Sequence, residues 1–386
     1  MAIQIREHTP GKDIEDFIRV GHIVYGDDPA WVAPLEFDLR QRLTPSKNPF
    51  FHRGEVGLFT AWKDGKLVGR ISAQLDHIHL DRYKDKTGFF GFFDTIDDDE
   101  VGRALLDAAE AWLKKRGMVR MRGPLTFHMY EEAGVLIDGF DTPPHILMAH
   151  TRRWQQRVCE NNGLLKAKDL YAWRFDVGKI PERAEKAWAE VKKMPEVKLR
   201  SVRRMEMQKE LRAIMQIFND AWEQNWGHCP ASEEEVKKTG EDLVAILDPE
   251  LAFIAEIDGK PVGMCIAIPN LNEVIRDFDG KLNPITFAKL VYRLKIKGPK
   301  TARLMMLGLS KELRNVKKYG YLSHALYVEV AKRGEKLGYE WGELSWTLED
   351  NKPINLGIKS MGAKIYKTYR IYERPIAGAE TVAAAE

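Results

Sequence analysis

WKDGKLVGRISA, residues 62–73, and EIDGKPVGMCIA, residues 256–267, decide how this chain folds. In each, an Asp-Gly pair (Asp64-Gly65 or Asp258-Gly259) divides two runs of mostly apolar residues, the signal of a two-residue β-hairpin. The elements after each hairpin also match. Downstream of the first, TGFFGFFDTI reads as a strand over Gly88–Thr95. Residues Asp99–Arg116 then place Val101, Leu105, Ala108, Ala109, Trp112 and Leu113 on one helical face. Gly117 supplies the stop, and MVRMRGP reads as the next strand. After the second hairpin, ARLMMLGLSKEL is a strand, Tyr321–Leu337 a helix stopped by Gly338, and WGELSWTL a strand. An amphipathic helix precedes each hairpin, in IQIREHTPGKDIEDFIRVGHIVYG and in LRAIMQIFNDAWEQNW. One α/β unit therefore occurs twice. The expected division is a first domain over 1–177, a second over 178–376 and a flexible tail over 377–386. A charged connection, Val177–Lys209, holds one strand and one helix.

Composition agrees with two soluble domains. The chain has 386 residues, too many for one hydrophobic core, with 44% hydrophobic and 30% charged residues. A net charge of +3 over that length argues against a general nucleic-acid binder. No apolar run approaches the length of a membrane span, and the opening MAIQIREHTPGKDIEDF lacks the apolar core of a secretion signal. Cys159, Cys229 and Cys265 lie far apart without metal-ligand spacing. They predict reduced thiols, no metal and a cytoplasmic setting. There is no Gly-x-Ser-x-Gly, His-Glu-x-x-His or Walker sequence.

The order hairpin, strand, basic turn, helix, strand, helix, strand resembles that of the GNAT acyltransferases, which move an acyl group from coenzyme A to an amine. The words NPFFHRGE (48–55), GFFGFFD (88–94), GVLIDGFDTPP (134–144), SWTLEDN (345–351) and GAKIYKTYRIYERP (362–375) extend the resemblance over nearly the whole chain. They are similar to a tandem bacterial branch that includes ceramide synthases. The resemblance implies a duplicated GNAT-like fold with mixed central sheets flanked by helices. It implies acyl-CoA as co-substrate and a fatty acyl chain passed to a sphingoid-type amine. Two alternatives stand beside that expectation: an N-acyltransferase for a small polar amine or amino acid, and a non-catalytic module that binds acyl-CoA or lipid.

The same resemblance places the coenzyme A pyrophosphate where the fourth strand turns into the next helix, on backbone N–H groups and the helix dipole. The usual word there is [Gln/Arg]-x-x-Gly-x-[Gly/Ala]. In the second half the matching place is RNVKKYGYLSHAL. It keeps Gly320 and supplies Arg314, Lys317, Lys318, Tyr319 and Tyr321, with Lys317 for the Gln/Arg and Leu322 for the second small residue. In the first half the same place holds Asp94, Asp97, Asp98, Asp99 and Glu100, which cap a helix well and repel a polyanion. The expectation is one cofactor site, in the second domain.

Amine acylation needs an acceptor for the amine's proton and a donor to the leaving thiolate. Glu349, at the end of a strand, and Tyr366, on the last strand, are the catalytic candidates of the second half. Asn351 beside Glu349 is a substrate contact or a helix cap before Pro353. In the first half, GPLTFHMYEEAGVLIDGFDTPPH offers His128 with Glu132 as a base pair. Asn225, Trp226 and His228, after the first helix of the second unit, are acceptor contacts, although Trp222 and Trp226 also have core spacing. Finally, Lys281–Lys311 carries eight Lys or Arg and no acid. Phe287, Leu290, Val291 and Leu294 can share one helical face there. A solvated helix, a phosphate clamp and a peripheral contact with an anionic inner membrane are the three readings.

Overall fold

The computed structural model describes residues 2–314 and 316–378. Residues 379–386 of the expected tail lie outside them. The chain divides into two compact units. The first is Met1–Leu170 with Ile275–Phe287 and Lys367–Glu386; the second is Tyr171–Val274 with Ala288–Tyr366.

The first unit contains β1 (Ile3–His8), α1 (Glu15–Tyr25), α2 (Glu36–Arg42), α3 (Phe50–Arg53), β2 (Gly54–Lys63), β3 (Lys66–Asp76), α4 (His77–Tyr83), β4 (Thr87–Thr95), α5 (Asp99–Lys114), β5 (Arg120–Gly123), β6 (Val135–Asp138) and α6 (Trp154–Asn161). Strand β7 (Leu165–Asp176) begins in this unit. The second unit continues with α7 (Glu182–Lys192), β8 (Val197–Ser201), α8 (Met207–Trp222), α9 (Glu233–Ile246), β9 (Ala252–Ile257), β10 (Lys260–Pro269) and α10 (Leu271–Ile275). Then come α11 (Pro284–Val291), β11 (Thr301–Leu309), α12 (Leu322–Lys336), β12 (Trp341–Leu348), α13 (Lys352–Ser360) and β13 (Lys364–Pro375).

Both units use one plan. The strand order is β1-β2-β3-β4-β5-β13 in the first and β8-β9-β10-β11-β12-β7 in the second. The hairpin turns are built alike. Lys63 pairs with Lys66, with φ of 53° at Asp64 and 74° at Gly65. Ile257 pairs with Lys260, with 50° at Asp258 and 78° at Gly259. Two consecutive positive φ values are what a right-twisted two-residue hairpin requires. One parallel contact closes each plan, β4 with β5 and β11 with β12, with α5 or α12 as the crossover.

Three sequence expectations change. The long loop after β5 holds a strand, β6, that pairs with β13 through Tyr369↔Leu136. The last strand supplies Lys367–Pro375 to the first unit, where Tyr372↔Gly123 pairs it with β5. Such a return is set by pairing between distant segments, which local pattern does not encode. The basic helix predicted after Lys281 is α11 followed by a π-helical turn, Tyr292–Lys297, and no residue of either is buried.

The cores explain the aromatic words. Every residue of β4 is buried, and Phe90 and Phe93 meet edge-to-face at 5.8 Å while Phe92 meets Phe127 at 5.7 Å. Each buried ring is worth about 1.5–3 kcal/mol over exposure. GFFGFFD thus packs a strand buried on both faces.

Candidate active site

The parallel ladders stop early. In the second unit they run from Thr301↔Trp341 to Leu304↔Leu344, after which β11 continues to Leu309 and β12 to Leu348. The strands fork there. The fork coincides with a bulge: β10 pairs Ile266 with Met306 and Ala267 with Leu304, leaving Met305 as the extra residue. A bulge reverses which side chains face which side. Leu304, Leu307 and Leu309 therefore pack with Leu322, Ala325 and Leu326 of α12. Gly308 faces α8 instead, where a Cβ would lie 2.6 Å from Trp222.

The first unit forks in the same way, after Phe89↔Arg122, with a bulge in β4 at Phe92 or Phe93. Its fork is filled by its own chain. The Leu125 amide donates to Phe90 O at 2.7 Å, and Gln74 Nε2 donates to Leu125 O at 2.6 Å. Gly91 makes room: a Cβ there would come within 2.1 Å of Leu125 O.

The two crossover helices differ in the same sense. At α5, Asp98 caps the helix by accepting from Glu100 N at 2.9 Å and Val101 N at 3.3 Å, and it binds Lys63 Nζ at 2.5 Å. Arg157 pairs with Asp97, and Asn161 donates to Asp99 at 2.7 Å. The acids have their cations within the unit. At α12 the cap residue is Tyr321, with no side-chain hydrogen bond to the first turn. Lys317 and Gly320 are exposed before it. Arg314 donates to Asp220 O at 2.6 Å, closing the end of α8, and Lys318 pairs with Glu196 at 2.6 Å. His324, in the first turn of α12, is held below the usual histidine value by burial and by the charge of Arg183.

The side of the second sheet facing away from α12 carries a buried polar cluster at the fork. Glu343 on β12 is fully buried (0% exposed), and its register partner Arg303 on β11 is 3% exposed. Ser345 Oγ donates to Glu343 Oε1 at 2.5 Å, and Arg303 Nε donates to Ser345 Oγ at 3.0 Å. The Tyr366 hydroxyl donates to Glu343 Oε2, and its ring stands edge-to-face on Trp341 at 5.7 Å. A sequence signal existed for Glu343, an acid inside the apolar run WGELSWTL, where burial demands partners.

The other candidates spread over both units. Glu349 is half-buried in the turn that ends β12. Asn351 caps α13, its Oδ1 accepting from Ile354 N at 3.4 Å. His228 is 2% exposed and its ring lies 5.7 Å from that of Phe218 on α8. Asn225 and Trp226 are half-buried in the turn before it. Trp222 is half-buried and stacks on Phe218 at 4.7 Å, a packing role. In the first unit the expected His128–Glu132 pair does not form. His128 Nε2 faces Glu131 at 3.5 Å, whereas Glu132 is engaged by Arg42 at 3.3 Å and Thr126 at 3.3 Å. The Arg42 guanidinium bridges both acids, donating to Glu131 at 2.6 Å and to Glu132 at 3.3 Å.

On the α12 side of the second sheet lies an apolar cavity, partly open to solvent; the empty space there, counted together with the open solvent at its entrance, is about 530 Å³. Leu304 and Leu344, the last ladder pair before the fork, line it together with Tyr327, Ala331 and Gly334 of α12. Burial keeps the Tyr327 phenol protonated, with a small push from Cys265; burial does the same for Tyr339, helped by Asp248 and Glu273. The lining is therefore uncharged at neutral pH. Among the described residues no group of His, Cys, Asp and Glu has the arrangement of a metal site.

Comparison with known proteins gives relatives at full length. The chain is 38% identical over 372 residues to a bacterial ceramide synthase of Caulobacter vibrioides, covering 95% of this chain and 96% of that one. It is 36% identical over 376 residues to Protein YghO of Escherichia coli, covering 96% and 95%. Among solved structures, a tandem GNAT protein from the clavulanic acid biosynthesis pathway superposes with a TM-score of 0.58 at 12% identity, covering 98% of this chain and 100% of that one. A GCN5-related N-acetyltransferase from Sphaerobacter thermophilus gives 0.52 at 14% identity, covering 98% of both. These structural likenesses establish the fold. No family model matches the chain.

Proposed function

This chain belongs to the family of the bacterial ceramide synthase, and we propose that it is an acyl-CoA-dependent N-acyltransferase that passes a long-chain acyl group to a sphingoid-type amine. The observation that carries the placement of the chemistry is the contrast between the two forks. The first is filled by Leu125 and its acidic helix start is satisfied internally. The second leaves Met305–Leu309 without a partner on the β12 side of the ladder. An extended amide-bearing chain, such as the pantetheine arm of coenzyme A, can add to such an edge.

In this reading the first unit is a support and the second holds the reaction. The pyrophosphate lies at the N-terminus of α12, against Lys317, Tyr319, Gly320 and Tyr321, with Arg314 and Lys318 supporting the loop. The thioester carbonyl lies at the fork. The acceptor amine approaches on the Glu343 side, past Asn225, Trp226 and His228. The amine nitrogen bonds to the carbonyl carbon and the carbon–sulfur bond breaks. Tyr366 takes the amine's proton as its own passes to Glu343; the reverse transfer delivers a proton to the thiolate. The half-buried Glu349, in the turn that ends β12, is the second carboxylate of the site.

Peripheral attachment to an anionic membrane fits a long-chain substrate. Ile285, Phe287, Tyr292 and Ile296 are 71%, 55%, 55% and 74% exposed on α11 and the turn after it, among Lys289, Lys295 and Lys297. Flotation with vesicles should then require anionic lipid and be lost in an Ile285→Asp/Ile296→Asp variant; equal flotation of that variant excludes this surface.

The activity is tested by incubating the protein with palmitoyl-CoA and a panel of amines while following free thiol and amide. Thiol release that needs a long-chain amine supports the proposal. Release only with small polar amines favours the polar-acceptor alternative, and binding without release leaves a non-catalytic module.

A further inference from the structure

The cavity under α12 is lined by two glycines that neither backbone conformation nor a clash at Cβ requires. Gly334 lies inside α12, where glycine costs about 1 kcal/mol relative to alanine. A Cβ there would meet nothing closer than Tyr339 Cβ at 3.9 Å. Gly342 lies inside β12, where glycine weakens a strand. A Cβ there would come no nearer than 3.7 Å to Ala302 O. Neither has the positive φ that demands glycine. Both line the cavity, as do Ala302 and Ala331. Both glycines would admit a Cβ without a clash, and leaving them bare leaves space beside a packed helix.

The cavity also has a direction. Leu304 and Leu344, which line it, are the last pair of the ladder, where β11 and β12 part. The polar cluster of Arg303, Ser345 and Glu343 lies on the opposite side of the same strands. A group held at the fork thus has a charged side and an uncharged, apolar side.

We propose that this cavity receives the acyl tail of the thioester and sets the chain length the protein accepts, the tail passing between Leu304 and Leu344 to lie against Tyr327, Ala331 and Gly334. The inference rests on the acyl-CoA reading above, but its test does not depend on turnover. No bond changes; the tail is held by removal of methylenes from water, about 0.8 kcal/mol each.

Filling the cavity is the test. Gly334→Leu removes a helix-weakening glycine and Gly342→Val a strand-weakening one, so both variants are expected to keep the wild-type melting temperature or exceed it. Binding of palmitoyl-CoA and acetyl-CoA is measured by quenching of tryptophan fluorescence on wild type and both variants. The wild type is expected to prefer palmitoyl-CoA. Exclusion of two to three methylenes should weaken palmitoyl-CoA by roughly 15- to 60-fold while acetyl-CoA changes less than about twofold. Equal affinity of wild type for both thioesters, or an unchanged preference in two folded variants, overturns the inference. Preference lost in the variants, with no amine acylated by any form, upholds the cavity and removes the transferase reading.

Discussion

Replacing Glu343 by leucine removes a fully buried carboxylate that Tyr366 and Ser345 both donate to and that lies 3.8 Å from Arg303 Nε. The guanidinium stays behind, with its side chain 4% exposed. Breaking a buried pair from one side costs about 3–5 kcal/mol, because the remaining group loses its buried counter-charge. At about 2–4 °C per kcal/mol for a domain of this size, the second unit should melt roughly 6–20 °C lower. The Arg303→Met/Glu343→Leu double variant removes both charges and fills a similar volume, so it should recover to within about 2 kcal/mol of wild type. Differential scanning calorimetry on the wild type, both single variants and the double variant gives the coupling directly. A Glu343→Leu protein melting with the wild type, or a double variant no better than the sum of the singles, refutes the coupled cluster.

Other consequences are smaller. Tyr366→Phe deletes the relay hydroxyl and should lower kcat about 10²-fold with KM little changed, read from thiol release at saturating acyl-CoA. Asn351→Ala loses the cap of α13 and should cost about 1 kcal/mol in a urea titration. His324 should make stability fall with acid. The unfolded chain binds a proton near pH 6.5, while burial and Arg183 delay protonation in the folded one. Its contribution is full above that value and is lost as pH drops through the lower folded value, so urea midpoints of wild type and His324→Asn should diverge between pH 7 and 5.

Much of the fold lies in local pattern. Asp64-Gly65 and Asp258-Gly259 supply the only backbone the hairpins tolerate, and Gly338, at φ 81°, ends α12 where the sequence places the stop. The acids at Asp97–Glu100 announce a satisfied helix start for a similarly local reason. What the sequence hides depends on distant pairing. β13 joins β5 and β6 across more than half the chain. The bulge at Met305 reverses the facing of everything after it on β11, so alternation cannot say which residues meet α12. Tyr366 is legible as a phenol on the last strand, but its partner is not, because Glu343 precedes it by a helix and a turn. His128 and Glu132 look paired by spacing, but His128 faces Glu131, and Arg42, 90 residues before Glu132, bridges both acids, a contact that spacing cannot show.

The location of the chemistry is tested by comparing amide formation from palmitoyl-CoA and a long-chain amine in Tyr366→Phe and His128→Asn, with product measured by mass spectrometry. The second unit as the reaction centre predicts a loss of about 10²-fold in the first variant and less than about threefold in the second. Wild-type turnover by Tyr366→Phe, together with loss in His128→Asn, would contradict it and move the reaction to the first unit.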